Sequence, residues 1–382
     1  MTDSSKFPFD AEEIAAVIAD WARIESPSYD PEAVNRMMDL ACGSMRGLGA
    51  EIERVPGQDG YGDVLKARFN WGSGPGILVL GHLDTVHLVG TLESSLPVRR
   101  EGDRLYGPGV MDMKGGMYLS IHALGHLLAE QGPLSLPVTF MFIPDEEIGS
   151  PSTRLLIENE ARQSRWVLVP EPAHGGKLVT GRHAFLRYTI KTLGTAQHAG
   201  VAHGVGRSAI SAMAKLITEI ESFSDIDAEI TYRVGVVNGG DFVNVVPTEC
   251  QAQVLCVAPT AEAFDTVSQR MRSLVSPDPK IRVEVQAGPV RPLFQPSKGT
   301  LALYQVAQQV AGRLGLSLDH GQFGGGSDGN FSGSLGVPTL DGLGVHGKGL
   351  HTKGEHLFVS SLVPRARLLA GIYTALSDLA NQ

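Results

Sequence analysis

Gly76-Ile-Leu-Val-Leu-Gly-His-Leu-Asp-Thr-Val86 is the stretch from which the fold can be read. Four apolar residues run without interruption and then break into a histidine and an aspartate. A short continuous apolar run of this kind suits a strand buried on both faces, as in a parallel sheet. Two more runs share the pattern: 137–143 (Pro-Val-Thr-Phe-Met-Phe-Ile) leads into Pro144-Asp-Glu-Glu147, and 166–169 leads into Pro170-Glu-Pro172. Between the first two, 113–130 reads as a buried helix. Strands alternating with helices predict βαβ units and a mainly parallel sheet. Helices are also expected over 11–24, with Asp10 as N-cap, over 30–48, and at the C-terminus over 364–381.

The style changes after Gly181. Residues 184–191 alternate as a strand, and 207–222 form an amphipathic helix. Strands follow near 229–237 and 250–257, then a helix over 261–274 and a strand over 281–285. The order β-α-β-β-α-β is the split, ferredoxin-like arrangement, an antiparallel sheet with two helices on one face. The fold class expected is α/β: a catalytic domain from residues 1–180 and 289–382, with an α+β domain at 181–288 inserted into it.

Composition narrows the function. The chain of 382 residues carries 41 acidic and 32 basic side chains, for a net charge of −9, and shows no Lys/Arg-rich stripe. Nucleic acid is therefore not an expected partner. No apolar run approaches the roughly 20 residues of a membrane span, and no secretory signal is evident. Three cysteines, none in a C-x-x-C motif, suit a reducing compartment, and the expected location is cytoplasmic. Glycine is abundant, 46 residues, and clusters beside charged residues and histidines.

In open parallel sheets, ligands bind beyond the carboxyl ends of the strands. On that rim the sequence places His82 and Asp84, Asp145-Glu146-Glu147, and Glu171, with Asp112 in a glycine-flanked loop and His351 far downstream. Imidazole and carboxylate without thiolate suit catalytic zinc, cobalt or manganese rather than a closed structural zinc. Five ligands exceed what one catalytic zinc takes, whereas two metals about 3.5–4 Å apart sharing a carboxylate would use them all. One further carboxylate must stay off the metal to move protons, and the Glu146-Glu147 pair can supply one ligand and one base. Each element alone has an ordinary reading as a turn or solvated loop. Their recurrence at four strand-end junctions is what points to a metal site.

The motifs Gly-His-Leu-Asp-Thr-Val, Tyr-Gly-Pro-Gly-Val-Met-Asp-Met-Lys-Gly-Gly, Asp-Glu-Glu-Ile-Gly-Ser, Glu171-Pro172 and the late His351 resemble metallopeptidase family 20 over almost the whole chain. That family includes glutamate carboxypeptidases, aminoacylases, acetylornithine deacetylases and desuccinylases. The resemblance implies two Zn2+ (Co2+ or Mn2+ as alternatives). His82, Glu171 and Asp112 would hold one ion; Asp112, Glu147 and His351 would hold the other. It further implies Glu146 as general base, Asp84 orienting His82, and a cis Asp112–Met113 peptide. His198, in Gly194-Thr-Ala-Gln-His-Ala-Gly, would reach the neighbouring subunit's site in a homodimer built through the inserted domain and stabilise the oxyanion there. Asn244, Arg291 and the Ser327 loop would contact substrate, with Arg291 holding a free carboxylate. The implied activity is amide hydrolysis on a small molecule or short peptide, foremost as a glutamate-type carboxypeptidase, with an N-acyl-amino-acid deacylase as the alternative. Where glutamate carboxypeptidases carry Asp-x-Arg on a small-domain strand, this chain reads Gln253-Val-Leu255, a departure from strict glutamate specificity. His174, His183 and His203 take no role.

Overall fold

A computed structural model describes residues 7–201, 204–276 and 278–381; His203 lies outside them. The chain forms two compact units. One comprises the residues up to Gly181 with 294–322 and those from Ser327 onward; the other comprises Arg182–Leu293 and Phe323–Gly326.

The first unit is built on a six-stranded sheet in the order Glu51–Val55, Val64–Phe69, Val138–Ile143, Ile77–His82, Trp166–Leu168, Thr339–Leu340. The last four are paired in parallel, and Val64–Phe69 is antiparallel to both of its neighbours. The central strands are apolar on both sides because both faces are covered. Ile77, Val79, Phe140 and Phe142 enter the larger core, while Leu78, Leu80, Met141 and Ile143 enter a smaller one with Ile157 and Phe331. Losing a ring such as Phe140 by truncation to alanine would cost about 3–5 kcal/mol. Helices Ala11–Ala22, Lys114–Glu130 and Leu362–Ala380 contribute to the larger core. Asp10 caps the first of these through Glu12 N and Glu13 N. The Lys114–Glu130 helix fits only because of close approaches: a Cβ on Gly116 would lie 1.9 Å from the Pro170 carbonyl.

The parallel register sets His82 opposite Ile143. The residues that follow these two strands therefore leave the sheet side by side. A separate four-stranded antiparallel sheet, Gly347–Lys348, His356–Phe358, Arg104–Tyr106 and Arg99–Glu101, pairs His356 with Tyr106 and so joins two distant loops.

The second unit has an antiparallel sheet in the order Thr231–Gly239, Glu249–Ala258, Ala184–Leu193, Arg282–Arg291. Strict alternation of burial along Ala184–Leu193 puts Leu186, Tyr188 and Ile190 on one face. There they pack with Val254 and Cys256 against Met213, Leu216 and Ile220 of helix Ala209–Ser222 and Val267 and Met271 of helix Ala261–Arg272. Val236 and Val237, on the outermost strand, are exposed. Among the described residues no helix is long and apolar enough to cross a membrane.

Candidate metal centre

His82 ends its strand, and its ring is almost fully buried. Its Nδ1 lies 3.0 Å from the Asp84 carbonyl oxygen and 3.3 Å from Asp84 Oδ1, so Nδ1 carries the proton and donates. The Nε2 of the same ring then stands among carboxylates, 3.2 Å from Asp112 Oδ1, 3.7 Å from Glu171 Oε1 and 3.9 Å from Glu146 Oε2. In the neutral ring that nitrogen bears a lone pair. A lone pair facing three carboxylate oxygens is repulsive unless a proton or a cation lies between them.

Asp112 turns its other oxygen the opposite way. Its Oδ2 is 3.1 Å from His351 Nε2, which is also 2.9 Å from Glu147 Oε2. One carboxylate thus faces a different imidazole through each oxygen. Ligand atoms of His82, Asp112 and Glu147 all lie within 4.8 Å of one another. Burial pushes the Glu147 carboxyl up to about 8, helped by the charge of Asp112 and opposed by the His351 hydrogen bond. Burial would raise Asp112 as well, but hydrogen bonds from His351 and His82 prevail and hold it well below the usual carboxylate range. His351 is driven up to about 11 by its contacts with Asp112 and Glu147. Five acidic side chains, Asp84, Asp112, Glu146, Glu147 and Glu171, surround two imidazoles. This excess of negative charge, with nitrogen and oxygen donors only, fits metal cations. The three cysteines are buried and free.

Local structure explains each placement. Asp84 Oδ2 accepts from Ser28 Oγ at 2.6 Å, and its two oxygens accept the backbone N–H groups of Glu146 and Glu147 at 3.2 Å each. The carboxylate that orients His82 therefore also positions the two glutamates, which lie in a single 3-10 turn after the Val138–Ile143 strand. Asp145 is buried behind that turn and accepts from Ser152 Oγ and Thr153 Oγ1. Glu171 is set by its carbonyl, which accepts Gly344 N at 2.8 Å. Asp112 precedes helix Lys114–Glu130, and the Asp112–Met113 peptide is cis. His351 sits at φ +57° in a turn opened by Gly349, a conformation that costs a non-glycine residue energy.

The other sequence candidates are placed as follows. Ser327 is fully buried; its hydroxyl donates to Asp341 Oδ2 at 2.6 Å and accepts Gly329 N at 3.0 Å. In the second unit His198 and Asn244 are exposed on two paired loops, with Ala199 N donating to the Asn244 carbonyl. Gly200 N donates to His198 Nδ1 at 3.1 Å, which leaves the ring proton on Nε2. Arg291 ends the last strand of that unit and is buried. His174 is exposed, and His183 is buried with Nε2 3.6 Å from Glu229 Oε2. Sequence reasoning gives no role to Ser28, Lys114 or Glu355. The buried Lys114 donates to the Ile24 carbonyl at 2.6 Å, and burial pushes its amine down to about 8.

The fold and the carboxylate–imidazole cluster define a metallohydrolase of amide bonds. The chain belongs to peptidase family M20/M25/M40, whose sequence profile matches residues 78–375. Carboxypeptidase G2 of Pseudomonas sp. strain RS-16 is 29% identical over 360 residues, covering 91% of this chain and 85% of the relative. A tripeptidase from Staphylococcus aureus superposes with a TM-score of 0.76 at 21% identity, covering 97% of this chain and 99% of that one. The YxeP protein of Bacillus subtilis, described as a dinuclear metal-binding peptidase, superposes with a TM-score of 0.68 at 17% identity, covering 96% and 98%.

Proposed function

We propose that the protein is a two-zinc carboxypeptidase that releases a C-terminal amino acid of glutamate type from a peptide or N-acyl conjugate. The observation that carries the reading is the Asp112 carboxylate, which faces His82 through one oxygen and His351 through the other. His82, Asp112 and Glu171 would hold one ion, and Asp112, Glu147 and His351 the second. When bound, such a pair polarises the scissile carbonyl and lowers the pKa of water.

The chain's own groups then do the following. Glu146 takes a proton from the attacking water and delivers it to the departing amine. Asp84, gripped by Ser28, keeps the His82 ring in the tautomer whose Nε2 lone pair faces the ions. His198 offers its Nε2–H to the oxyanion of a neighbouring subunit's substrate. The exposed Val236 and Val237 on the edge strand support a homodimer joined through this unit. The Arg291 guanidinium matches a free carboxylate in a bidentate fork, and similarity to Carboxypeptidase G2 supports the same choice. Asn244 contacts the substrate, and Ser327 serves by fixing its own loop through Asp341 and Gly329.

The second reading, an N-acyl-amino-acid deacylase, is favoured by the lack of an arginine in Gln253-Val-Leu255. A panel of N-blocked dipeptides, folate-like glutamate conjugates and short N-acyl amino acids, offered to zinc-loaded protein, separates the two. Cleavage of the blocked dipeptides and conjugates is expected, with a preference for C-terminal glutamate that Arg291→Ala abolishes through KM. Cleavage confined to short acyl groups would assign the deacylase.

A further inference from the structure

Glu355 lies four residues after His351, is almost completely buried, and has no part in the chemistry above. Its Oε1 accepts Met111 N at 2.9 Å and Asp112 N at 3.1 Å. Its Oε2 accepts Gly109 N at 3.1 Å and faces His87 Nε2 at 2.8 Å. Four donors fill the acceptor capacity of one carboxylate. They come from two separate loops: the one that carries Asp112, and the one that follows the Ile77–His82 strand and runs through Asp84 to His87. The carboxylate itself belongs to a third loop, the turn that presents His351. That turn is closed by Thr352 N to the Gly349 carbonyl and Glu355 N to the Thr352 carbonyl. The neighbouring strands add a register of their own, since His356 pairs with Tyr106.

We infer that Glu355 is a positioning residue for the second metal ion: its carboxylate ties the His351 turn to the Asp112 loop and so fixes the separation of two of that ion's three ligands. The assignment rests on the two-metal reading of the cluster. A simple brace would need one or two contacts anywhere on the loop. Here one of the four donors is the backbone N–H of the shared ligand itself, and the acceptor sits on the turn that holds His351 at positive φ. Any shift of the carboxylate changes the gap between Asp112 and His351, whereas His82 and Glu171 hang from the main sheet and keep their places.

The test uses metal-free full-length protein titrated with Co2+, followed by calorimetry and by the visible ligand-field bands, for wild type, Glu355→Ala and Glu355→Gln. Wild type is expected to bind two ions. Glu355→Ala should weaken the second by roughly 10- to 100-fold, in the range seen when groups behind metal ligands are lost, and the first clearly less, because that ion shares Asp112 but keeps His82 and Glu171. Glu355→Gln should fall between them, because its amide oxygen can still accept from Met111 and Asp112. Excess Co2+ should restore kcat of the variants with KM unchanged. If Glu355→Ala does not fold, Glu355→Gln alone carries the test. Variants that bind both ions as wild type does would overturn the inference. So would equal weakening of both ions in step with a lower melting temperature of the metal-free protein, since Glu355 would then be a general brace. Wild type binding a single ion would instead overturn the two-metal reading beneath it.

Discussion

The two units of this molecule hold their candidate histidines in opposite ways. In the first, His82 is buried, held at Nδ1 by Asp84, and crowded at Nε2 by three carboxylates. In the second, His198 is exposed and accepts one backbone N–H at Nδ1, which turns its Nε2–H outward. The first arrangement concentrates negative charge in a largely buried place, where cations would be held strongly. The second spends little on itself and is complete only when something else arrives. A buried cluster of fixed ligands and an exposed donor on paired loops are the two halves of the proposed chemistry.

The comparison breaks first at Asp112. Asp112→Ala removes the ligand that the proposal shares between both ions, so turnover should fall to background and bound metal, counted by mass spectrometry of the native protein, should fall with it. His198→Ala should lower kcat by about 10²–10³, the range for one oxyanion donor, with metal content unchanged. Because His198 is exposed, its stability should change by no more than about 0.5 kcal/mol. A His198 variant that lost metal would show that the two halves are not separate.

A third histidine sharpens the contrast. His122 is buried like His82 but has no carboxylate partner among the described residues. Its Nε2 lies 2.8 Å from the Pro8 carbonyl, and burial pushes it down to about 4 from an ordinary 6.5. Between these values the unfolded chain binds the proton and the folded one does not, so stability falls as pH drops through 6.5 toward 4. The loss should be roughly 2 kcal/mol at pH 5, read by urea melts, and His122→Gln should flatten it. The smallest effect is expected behind the cluster. Ser28→Ala takes away one of the donors to Asp84 and should cost the metal-free protein about 1–2 kcal/mol, with a measurable loss of metal affinity.

What could be read from sequence follows the same division. Apolar runs that end in His82, Glu146-Glu147 and Glu171 are local signals, and the parallel sheet turns them into neighbours. The strand Val64–Phe69, second in the sheet, escapes the sequence pattern because Lys66 and Arg68 interrupt its apolar run. Both pair with the buried Glu160, Arg68 through two bonds at 2.5 and 2.8 Å and Lys66 at 3.2 Å. The small sheet joining Arg104–Tyr106 to His356–Phe358 has strands of three residues, too short for any periodicity. Ser28 and Glu355 meet their partners across 56 and more than 240 positions of sequence, where local pattern carries no information. Arg291 and Asn244 came from resemblance alone, since neither an exposed asparagine nor an arginine at a strand end has a distinctive spacing.

The central claim is that Glu146 moves the protons while His82, Asp112, Glu147, Glu171 and His351 hold the metals. The most direct measurement compares hydrolysis of an N-blocked dipeptide by wild type and Glu146→Gln, with zinc counted in both. The account predicts two zinc ions in each and a kcat lower by about 10²–10⁴ in the variant. Full activity in Glu146→Gln with both ions in place would contradict it.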